Sequence, residues 1–238
     1  MNIYEGIIQN FEKGEKNIAA LLDPDTEDIS NLNEKLKLFE RSNIDYVFVG
    51  GSTSGKNDFN EFTEEVKNNT KLPVIIFPGS SSQISSHADA MLFLSLVSGK
   101  NPQYLIGEHI NAAPILKKTN LEVIPTGYIL VDGGNTTTVE FISGTKPVPQ
   151  DKPDIAKKIA YAAELLGMRL IYMDCGSGAM KSINNTLIEE VKNYINIPLI
   201  VGGGIRTTEE IWEKHRAGAD IVVIGSALED EPELLFAG

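Results

Sequence analysis

Short runs of apolar, β-rich residues recur along the chain, and each run ends in glycine, proline or polar residues. Because these runs are apolar throughout, they are expected to be strands buried on both faces, as in a parallel sheet. The eight predicted strands are Ile18 to Leu22, Tyr46 to Val49, Val74 to Phe77, Met91 to Leu96, Val123 to Leu130, Leu170 to Met173, Leu199 to Val201 and Ile221 to Ile224.

Most of these runs are separated by segments whose apolar residues recur at helical spacing. These segments include Phe59 to Val66, Tyr104 to Leu116, Ile155 to Leu166, Leu187 to Tyr194 and Glu209 to His215. Eight strand and helix units favour a closed (β/α)8 barrel, or TIM barrel, over an open sheet. The length of 238 residues fits one such α/β domain over residues 1–238.

One connection breaks the alternation. Only about a dozen residues, Gly79 to Ala90, join the third and fourth runs, which is too short for a helix with both of its loops. The third outer helix is therefore predicted to be missing, and the resulting gap could hold an elongated apolar ligand. A shortened helix without functional meaning is the alternative.

Composition narrows the classes of function. The formal net charge of −12 argues against nucleic-acid binding, which needs a basic surface. Ile3, Ile7, Ile8 and Phe11 recur at helical spacing among charged residues, so the first segment is interpreted as an amphipathic helix rather than a signal peptide. No apolar run approaches the roughly 20 residues of a membrane span, and the single Cys175 suits a reducing compartment. We expect a cytoplasmic protein without stable membrane insertion.

Glycine-rich turns follow the seventh and eighth runs. Gly203 and Gly204, then Gly225 and Ser226, lie at neighbouring strand ends, where barrels of this class bind phosphate through main-chain N–H groups. An acidic protein needs such local donors to hold an anion. The pattern predicts a phosphate site but no particular reaction. Arg206 could add positive charge there or could lie on the surface.

The ends of the first two runs carry a candidate metal site. Asp23 directly follows the first run and Pro24 turns the chain, so the carboxylate is expected to face the barrel mouth and could hold Mg²⁺. Gly50 and Gly51 follow the second run, and Ser52 could supply another oxygen. An Asx turn or helix cap at Asp23 and a flexible turn after the second run are the alternatives.

The sixth run ends in a carboxylate followed by a glycine turn. Asp174 emerges at the end of the run, Tyr172 lies on the same face of the strand, and Gly176, Ser177 and Gly178 form the turn. This combination suits a polyol phosphate, because a carboxylate binds hydroxyls while main-chain N–H groups bind phosphate. The alternative is that Asp174 only caps the following helix.

Four aromatic residues have two interpretations. Phe93, Tyr104, Tyr128 and Phe141 could line an apolar path, or they could simply belong to the core. The three histidines show no metal-ligand spacing, and no G-x-S-x-G turn supports a serine hydrolase.

Taken in order, LLDPD, VGGST, YMDCGSGA, VGGGIRT and VIGSA resemble the motifs of the geranylgeranylglyceryl phosphate synthase family, which includes bacterial heptaprenylglyceryl phosphate synthases. The likeness covers nearly the whole chain. The glycine turns are shared by many phosphate-binding barrels, whereas LLDPD with GGST and the DCGSGA turn are more specific. The family is also similar in having a barrel that lacks its third helix.

The resemblance implies transfer of a prenyl group from a prenyl diphosphate, with geranylgeranyl diphosphate as the expected donor, to the C3 hydroxyl of sn-glycerol 1-phosphate. It implies that Asp23 and Ser52 hold Mg²⁺ and that Tyr128 lies near the reacting groups. Relatives form dimers or larger assemblies, so a homo-oligomer is expected. The implied contacts of glycerol phosphate are Tyr172, Met173, Asp174, Cys175, Gly176, Ser177, Gly178, Gly203, Gly204, Gly225 and Ser226.

The chain departs from the family pattern at three positions. Many relatives have Glu in place of Asp174 and Asn in place of Ser226, and some bacterial relatives have Lys in place of Leu21. The shorter Asp174 side chain would reach the glycerol through a small backbone adjustment or a water molecule.

The mechanism expected from these residues is attack of a hydroxyl on an allylic carbon. Mg²⁺ would neutralise the leaving diphosphate, and Asp174 would orient the glycerol hydroxyl, with Tyr172 as a second candidate proton acceptor. A sugar-phosphate isomerase or cyclase that uses Asp23 and Asp132 as acid and base is the rival enzyme. A phosphate-binding protein without turnover is the third option.

Overall fold

The computed structural model describes residues 2–51 and 57–225. Eight parallel strands close into one barrel, with the last strand paired to the first. The predicted (β/α)8 barrel is confirmed, and every predicted strand matches to within one residue at either end. The strands are β1 Asn17–Leu22, β2 Tyr46–Val49, β3 Val74–Ile76, β4 Ala90–Leu96, β5 Glu122–Leu130, β6 Leu170–Asp174, β7 Leu199–Gly202 and β8 Ile221–Ile224.

Helices surround the barrel, and several begin at polar capping residues. The side chain of Asp58 accepts a hydrogen bond from the N–H of Glu61, and that of Asn184 accepts one from Leu187. In the described ranges, no helix is both long and apolar enough to span a bilayer. The helices are α1 Ile3–Lys13, α2 Ile29–Arg41, α3 Phe59–Asn69, α4 Glu108–Leu116, α5 Thr138–Ser143, α6 Pro153–Leu165, α7 Asn185–Lys192 and α8 Thr208–Arg216.

The connection between β3 and β4 has no helix. Residues 77–89, all of which the structure describes, form turns and extended segments. The predicted loss of the third outer helix is therefore confirmed. The neighbouring helix α4 begins with a π-helical turn, Gln103–Gly107, and the two together replace the single predicted helix from Tyr104 to Leu116.

Alternate strand residues separate two apolar layers, because successive side chains of a strand point to opposite faces. One layer fills the inside of the barrel and includes Phe48, Leu92 and Tyr172. The other lies between the strands and the outer helices, and includes Phe39 and Phe62. A residue's position in its strand therefore decides whether it can reach the mouth of the barrel.

Helix α1 covers the amino ends of the strands. Its Ile7 is buried in the inner layer, and the Glu122 carboxylate accepts the first two N–H groups of the helix, from Ile3 at 2.7 Å and from Tyr4 at 3.0 Å. A carboxylate at this end of a helix is also favoured by the helix dipole. The closed amino end leaves the carboxyl ends of the strands for a binding site.

Candidate active site

A cavity of about 730 Å³ opens at the carboxyl ends of the strands. One end of the cavity is polar and lies beside Asp174, Gly203 and Gly225, at the ends of β6, β7 and β8. An apolar arm extends from it past β4 to α4 and α5. The Asp23 carboxylate lies at a third position on the rim, after β1. One continuous space thus joins three chemically different surfaces.

The polar end contains a buried pair, Tyr128 and Asp174. The Tyr128 hydroxyl donates to Oδ2 of Asp174 at 2.7 Å, and the N–H of Gly176 donates to Oδ1 at 2.9 Å. Burial raises the pKa of the Asp174 carboxyl, although both hydrogen bonds act in the opposite direction. Burial and the Asp174 charge raise the pKa of Tyr128 well above its ordinary value. The pair therefore offers a basic carboxylate held in a fixed orientation by a neutral phenol.

Two glycines after β7 shape the anion end of the cavity. Gly203 and Gly204 have φ angles of +82° and +73°, which side chains rarely adopt. A Cβ atom on Gly203 would lie 2.5 Å from Oδ1 of Asp174 and 2.8 Å from the Cys175 nitrogen. Glycine at this position lets the β7 turn pack directly on the end of β6.

Main-chain donors are available at this packed pair of turns. Four main-chain N–H groups that line the cavity have no acceptor among the described residues. They belong to two pairs of adjacent residues, Ser177 with Gly178 and Gly203 with Gly204. Unpaired N–H groups that converge in a glycine turn attract an anion without a basic side chain. This resolves how a protein of net charge −12 can bind phosphate.

Three aromatic rings lie where the polar end meets the apolar arm. The ring of Phe77 lies 5.0 Å from that of Tyr172 and 6.1 Å from that of Tyr128, and the two tyrosine rings are 5.6 Å apart. Burial raises the pKa of Tyr172 well above its ordinary value, so its phenol stays neutral. The three rings form an apolar junction, and the π face of an aromatic ring attracts a cation.

Asp23, one of the two predicted metal ligands, lies on the rim of the cavity after β1. The Asp23 carboxylate packs against Gly51, where any side chain would collide with it. Its Oδ1 accepts the N–H of Asp25 at 3.0 Å, as in the Asx turn that was the alternative interpretation. The predicted second ligand, Ser52, lies outside the described residues.

The donor set at this rim fits Mg²⁺. No group of three His, Cys, Asp or Glu side chains within the described ranges could hold a metal, so the protein would supply one carboxylate. Mg²⁺ is often bound in this way, with one or two carboxylates and with water and substrate phosphate completing the shell. The Asp23 side chain is partly exposed to the cavity, where a phosphorylated substrate can reach it.

The apolar arm occupies the gap left by the missing helix. Met91 and Phe93 lie on the outward face of β4, and His109 and Ala112 of α4 face them across the arm. The His109 ring meets Phe93 edge-on with centroids 4.3 Å apart, and its Nε2 lies 3.2 Å from the Ser95 hydroxyl oxygen. Burial lowers the pKa of His109, which favours the neutral imidazole in the wall of the arm.

Several predicted site residues do not reach the cavity with their side chains. Met173 and Cys175 lie on the outer face of β6 and pack between the barrel and the helices. The N–H of Cys175 is already bonded to the Gly202 carbonyl at 3.2 Å. Phe141 is 82% exposed and points away from the arm. Ser226, a predicted phosphate contact, lies outside the described residues.

The aspartate of the rival isomerase is also misplaced. Asp132 is exposed, does not line the cavity, and accepts the N–H of Gly134 at 2.9 Å. It cannot act as a base opposite Asp23 across one substrate. Arg206 does line the cavity, and its Nη2 donates to the Ala179 carbonyl at 3.2 Å, which brings its charge to the anion end.

Other lining residues were not predicted. Ser80 and Ser81 come from the helix-free connection, Glu108 and His109 from α4, and Ile142 from α5. Helical spacing could have identified Glu108 as a lining residue, because Tyr104, Glu108 and Ala112 are four residues apart and so share one face of the predicted helix. The other residues carry no local motif and depend on how α4 and α5 pack around the gap.

Comparisons with known proteins agree with this geometry. The model of the PcrB family matches residues 12–237. A geranylgeranylglyceryl phosphate synthase from Chitinophaga pinensis is 46% identical over 233 residues, which cover 98% of this chain and 92% of that protein. One of the same name from Flavobacterium johnsoniae is 47% identical over 229 residues, covering 96% and 94%.

A solved structure is similar along the full chain. It is the (S)-3-O-geranylgeranylglyceryl phosphate synthase from Thermoplasma acidophilum in complex with its substrate sn-glycerol-1-phosphate, and it is 34% identical with a TM-score of 0.92. The match covers 100% of this chain and 95% of that one. The resemblance inferred from the strand-end motifs is confirmed, and the chain belongs to the PcrB family.

Proposed function

We propose that this protein transfers a prenyl group from a prenyl diphosphate to the C3 hydroxyl of sn-glycerol 1-phosphate. The observation that carries the proposal is the single cavity that joins unpaired main-chain donors and a buried carboxylate to a long apolar arm. A sugar-phosphate isomerase would need no such arm. The names of the similar synthases support the same reaction.

The acceptor substrate fits the polar end. Its phosphate would lie on the N–H groups of Gly178, Gly203 and Gly204, with the Arg206 charge nearby. Its hydroxyls would then face Asp174, whose position is fixed by Tyr128. The substrate named for the Thermoplasma acidophilum structure is sn-glycerol-1-phosphate, which supports this assignment.

The donor substrate fits the rest of the cavity. Its chain would occupy the apolar arm between Met91, Phe93 and Ala112, where burial of each CH₂ group contributes about 0.8 kcal/mol. Its diphosphate would lie near Asp23, which would hold Mg²⁺. When bound, Mg²⁺ supplies charge neutralisation for the departing diphosphate. Geranylgeranyl diphosphate is the donor that the names of the relatives favour.

The reaction breaks the C1–O bond of the donor and forms an ether bond between C1 and the glycerol oxygen. The hydroxyl loses its proton, and diphosphate leaves. Asp174 orients the hydroxyl and is placed to accept the proton, because burial makes it a stronger base than a surface aspartate. The rings of Phe77, Tyr128 and Tyr172 exclude water and stabilise positive charge at C1.

The test is incubation of the protein with sn-glycerol 1-phosphate, labelled geranylgeranyl diphosphate and Mg²⁺. We expect a labelled product that partitions into organic solvent and whose formation needs both substrates. Asp174→Asn should lower the rate by about 10²-fold or more. Asp132→Asn removes a carboxylate that the rival isomerase would need, and it should leave the transferase rate unchanged. No extractable product with the wild-type protein would exclude the transferase.

We also propose that the chain forms a homo-oligomer. Large apolar side chains remain exposed on α5 and α6, including Phe141 at 82%, Leu165 at 71% and Leu166 at 77%. Such groups are common at interfaces between subunits. Light scattering coupled to gel filtration would contradict the proposal if it gave the mass of one 26.0 kDa chain.

A further inference from the structure

The helix-free connection, residues 77–89, is held in place by side chains from three directions. The N–H of Ser81 donates to Oε2 of Glu108 on α4 at 2.8 Å, and the hydroxyl of Ser85 donates to Asn60 on α3 at 2.8 Å. The third attachment runs from Gln83 to the turn after β2. These bonds replace the packing that an outer helix would give.

Gln83 joins two edges of the cavity without lining it. Its Oε1 accepts the N–H of Gly79 at 2.7 Å, and its Nε2 donates to the carbonyl of Gly51 at 3.2 Å. The side chain is only 3% exposed. An N–H can only donate and a carbonyl can only accept, so these two partners fix the orientation of the amide.

The two edges that Gln83 joins are both functional surfaces. Gly51 is the residue on which the Asp23 carboxylate packs, and Gly79 begins the stretch whose Ser80 and Ser81 line the cavity. The Gln83 amide therefore connects the Asp23 rim to the serine-bearing rim beyond the last ladder bond of β2 and β3, from the N–H of Phe77 to the Val49 carbonyl. Gly51 and Gly79 follow β2 and β3, whereas the anion end lies after β6, β7 and β8.

We propose that Gln83 is a positioning residue for the diphosphate of the prenyl donor, and that it acts by fixing Gly51 and Gly79 on either side of that group. The proposal rests on the proposed transferase function and deepens it. Ser80 and Ser81 would then present hydroxyls to the diphosphate opposite Asp23.

Two variants test this role. Gln83→Glu keeps the shape and the bond from Gly79 but turns an oxygen toward the Gly51 carbonyl, and Gln83→Met removes the bonds with Gly79 and Gly51. We expect KM for the prenyl diphosphate to rise about tenfold or more in each, the factor that one or two hydrogen bonds supply. KM for glycerol phosphate should stay within about twofold of wild type.

Ser85→Ala is the matched control. It removes the two hydrogen bonds of a buried hydroxyl in the same connection, which donates to Asn60 and accepts the N–H of His87, and Ser85 does not line the cavity. It should lower the melting temperature, as the Gln83 variants should, without changing KM for the donor. Gln83→Glu is nearly isosteric and carries the test alone if Gln83→Met does not fold.

The outcomes separate this proposal from the proposed function. If the wild-type protein forms no prenylated product, the transferase function fails. If the wild-type protein is active and donor KM stays within about twofold in Gln83→Glu, or both KM values rise equally, the positioning role of Gln83 is wrong while the function stands. A selective rise in donor KM that Ser85→Ala does not share supports the role.

Discussion

Tyr128 and Asp174 share a hydrogen bond of 2.7 Å at the point where the anion end of the cavity meets the apolar arm. The bond crosses neighbouring strands, because Tyr128 of β5 is in register with Tyr172, two residues before Asp174 on β6. It stabilises the charged form of a carboxylate that burial alone would favour in its neutral form. The Tyr128 phenol, together with the N–H of Gly176, therefore opposes the rise in the Asp174 pKa that burial causes.

Tyr128→Phe is expected to shift the pH dependence of the reaction. Removing the phenol removes a contact that lowers the Asp174 pKa, so that pKa rises further. If the carboxylate form is the active one, activity is lost as pH falls through this pKa, and the acid limb of kcat/KM moves to higher pH. We also expect about a 10- to 100-fold loss at neutral pH.

The matched control is Tyr46→Phe. Tyr46 is a second tyrosine of the inner layer with the same 6% exposure, but it lies at the start of β2, near α1. Its variant should keep the wild-type acid limb. Equal pH profiles for Tyr128→Phe and the wild type would contradict the proposed control of Asp174.

Gly203→Ala is expected to damage the anion end. The new Cβ would lie 2.5 Å from Oδ1 of Asp174, and the φ of +82° is unfavourable for alanine. KM for glycerol phosphate should rise at least about tenfold, and the free energy of unfolding should fall by about 1 to 3 kcal/mol in urea titration. Gly144→Ala separates the two effects, because Gly144 has a φ of +62° with no atom within 4 Å of the new Cβ. It should lose stability but keep its KM.

Asp23→Asn is expected to weaken the dependence on Mg²⁺. The neutral amide keeps the shape that packs on Gly51 but binds a divalent cation poorly. The rate should fall by about 10²-fold, and half-maximal activity should need more Mg²⁺ in a titration at saturating glycerol phosphate. Asp25→Asn is the control, because Asp25 does not line the cavity. A near-normal rate for Asp23→Asn would refute the metal role.

Ala112→Phe is expected to shorten the apolar arm. Ala112 is buried and lines the arm from α4, so a phenyl ring there would fill space that the donor chain needs. The ratio of rates with geranylgeranyl and geranyl diphosphate should fall about tenfold or more. Ala113→Phe places the same ring on the exposed side of the helix, and its ratio should equal that of the wild type.

The barrel could be predicted from sequence because strands that are buried on both faces consist of uninterrupted apolar residues. The loss of the third helix could be predicted as well, because the stretch from Gly79 to Ala90 is too short for a helix and its two loops. Asp23, Asp174 and Gly203 could be found for a related reason, since the end of a strand in this fold is also the edge of the mouth.

Side-chain direction within a motif was harder to predict. The motif predicts one contact surface from Tyr172 to Gly178, but Met173 and Cys175 point to the outer face because strand side chains alternate. The contacts of Gln83 could not be predicted from sequence for a different reason. Its partners, Gly51 and Gly79, offer only main-chain groups, and such bonds leave no pattern in the sequence.

The position of α1 has a consequence for turnover. With the amino ends of the strands covered by α1, whose Ile7 is buried, the reactants and the ether lipid they form occupy the same cavity at the carboxyl ends. A water-insoluble product that leaves this cavity slowly prevents the next prenyl diphosphate from binding. Product release, rather than formation of the ether bond, would then limit the steady-state rate. Detergent micelles or vesicles that take up the lipid product should then raise the steady-state rate without changing the rate of ether formation in a single turnover.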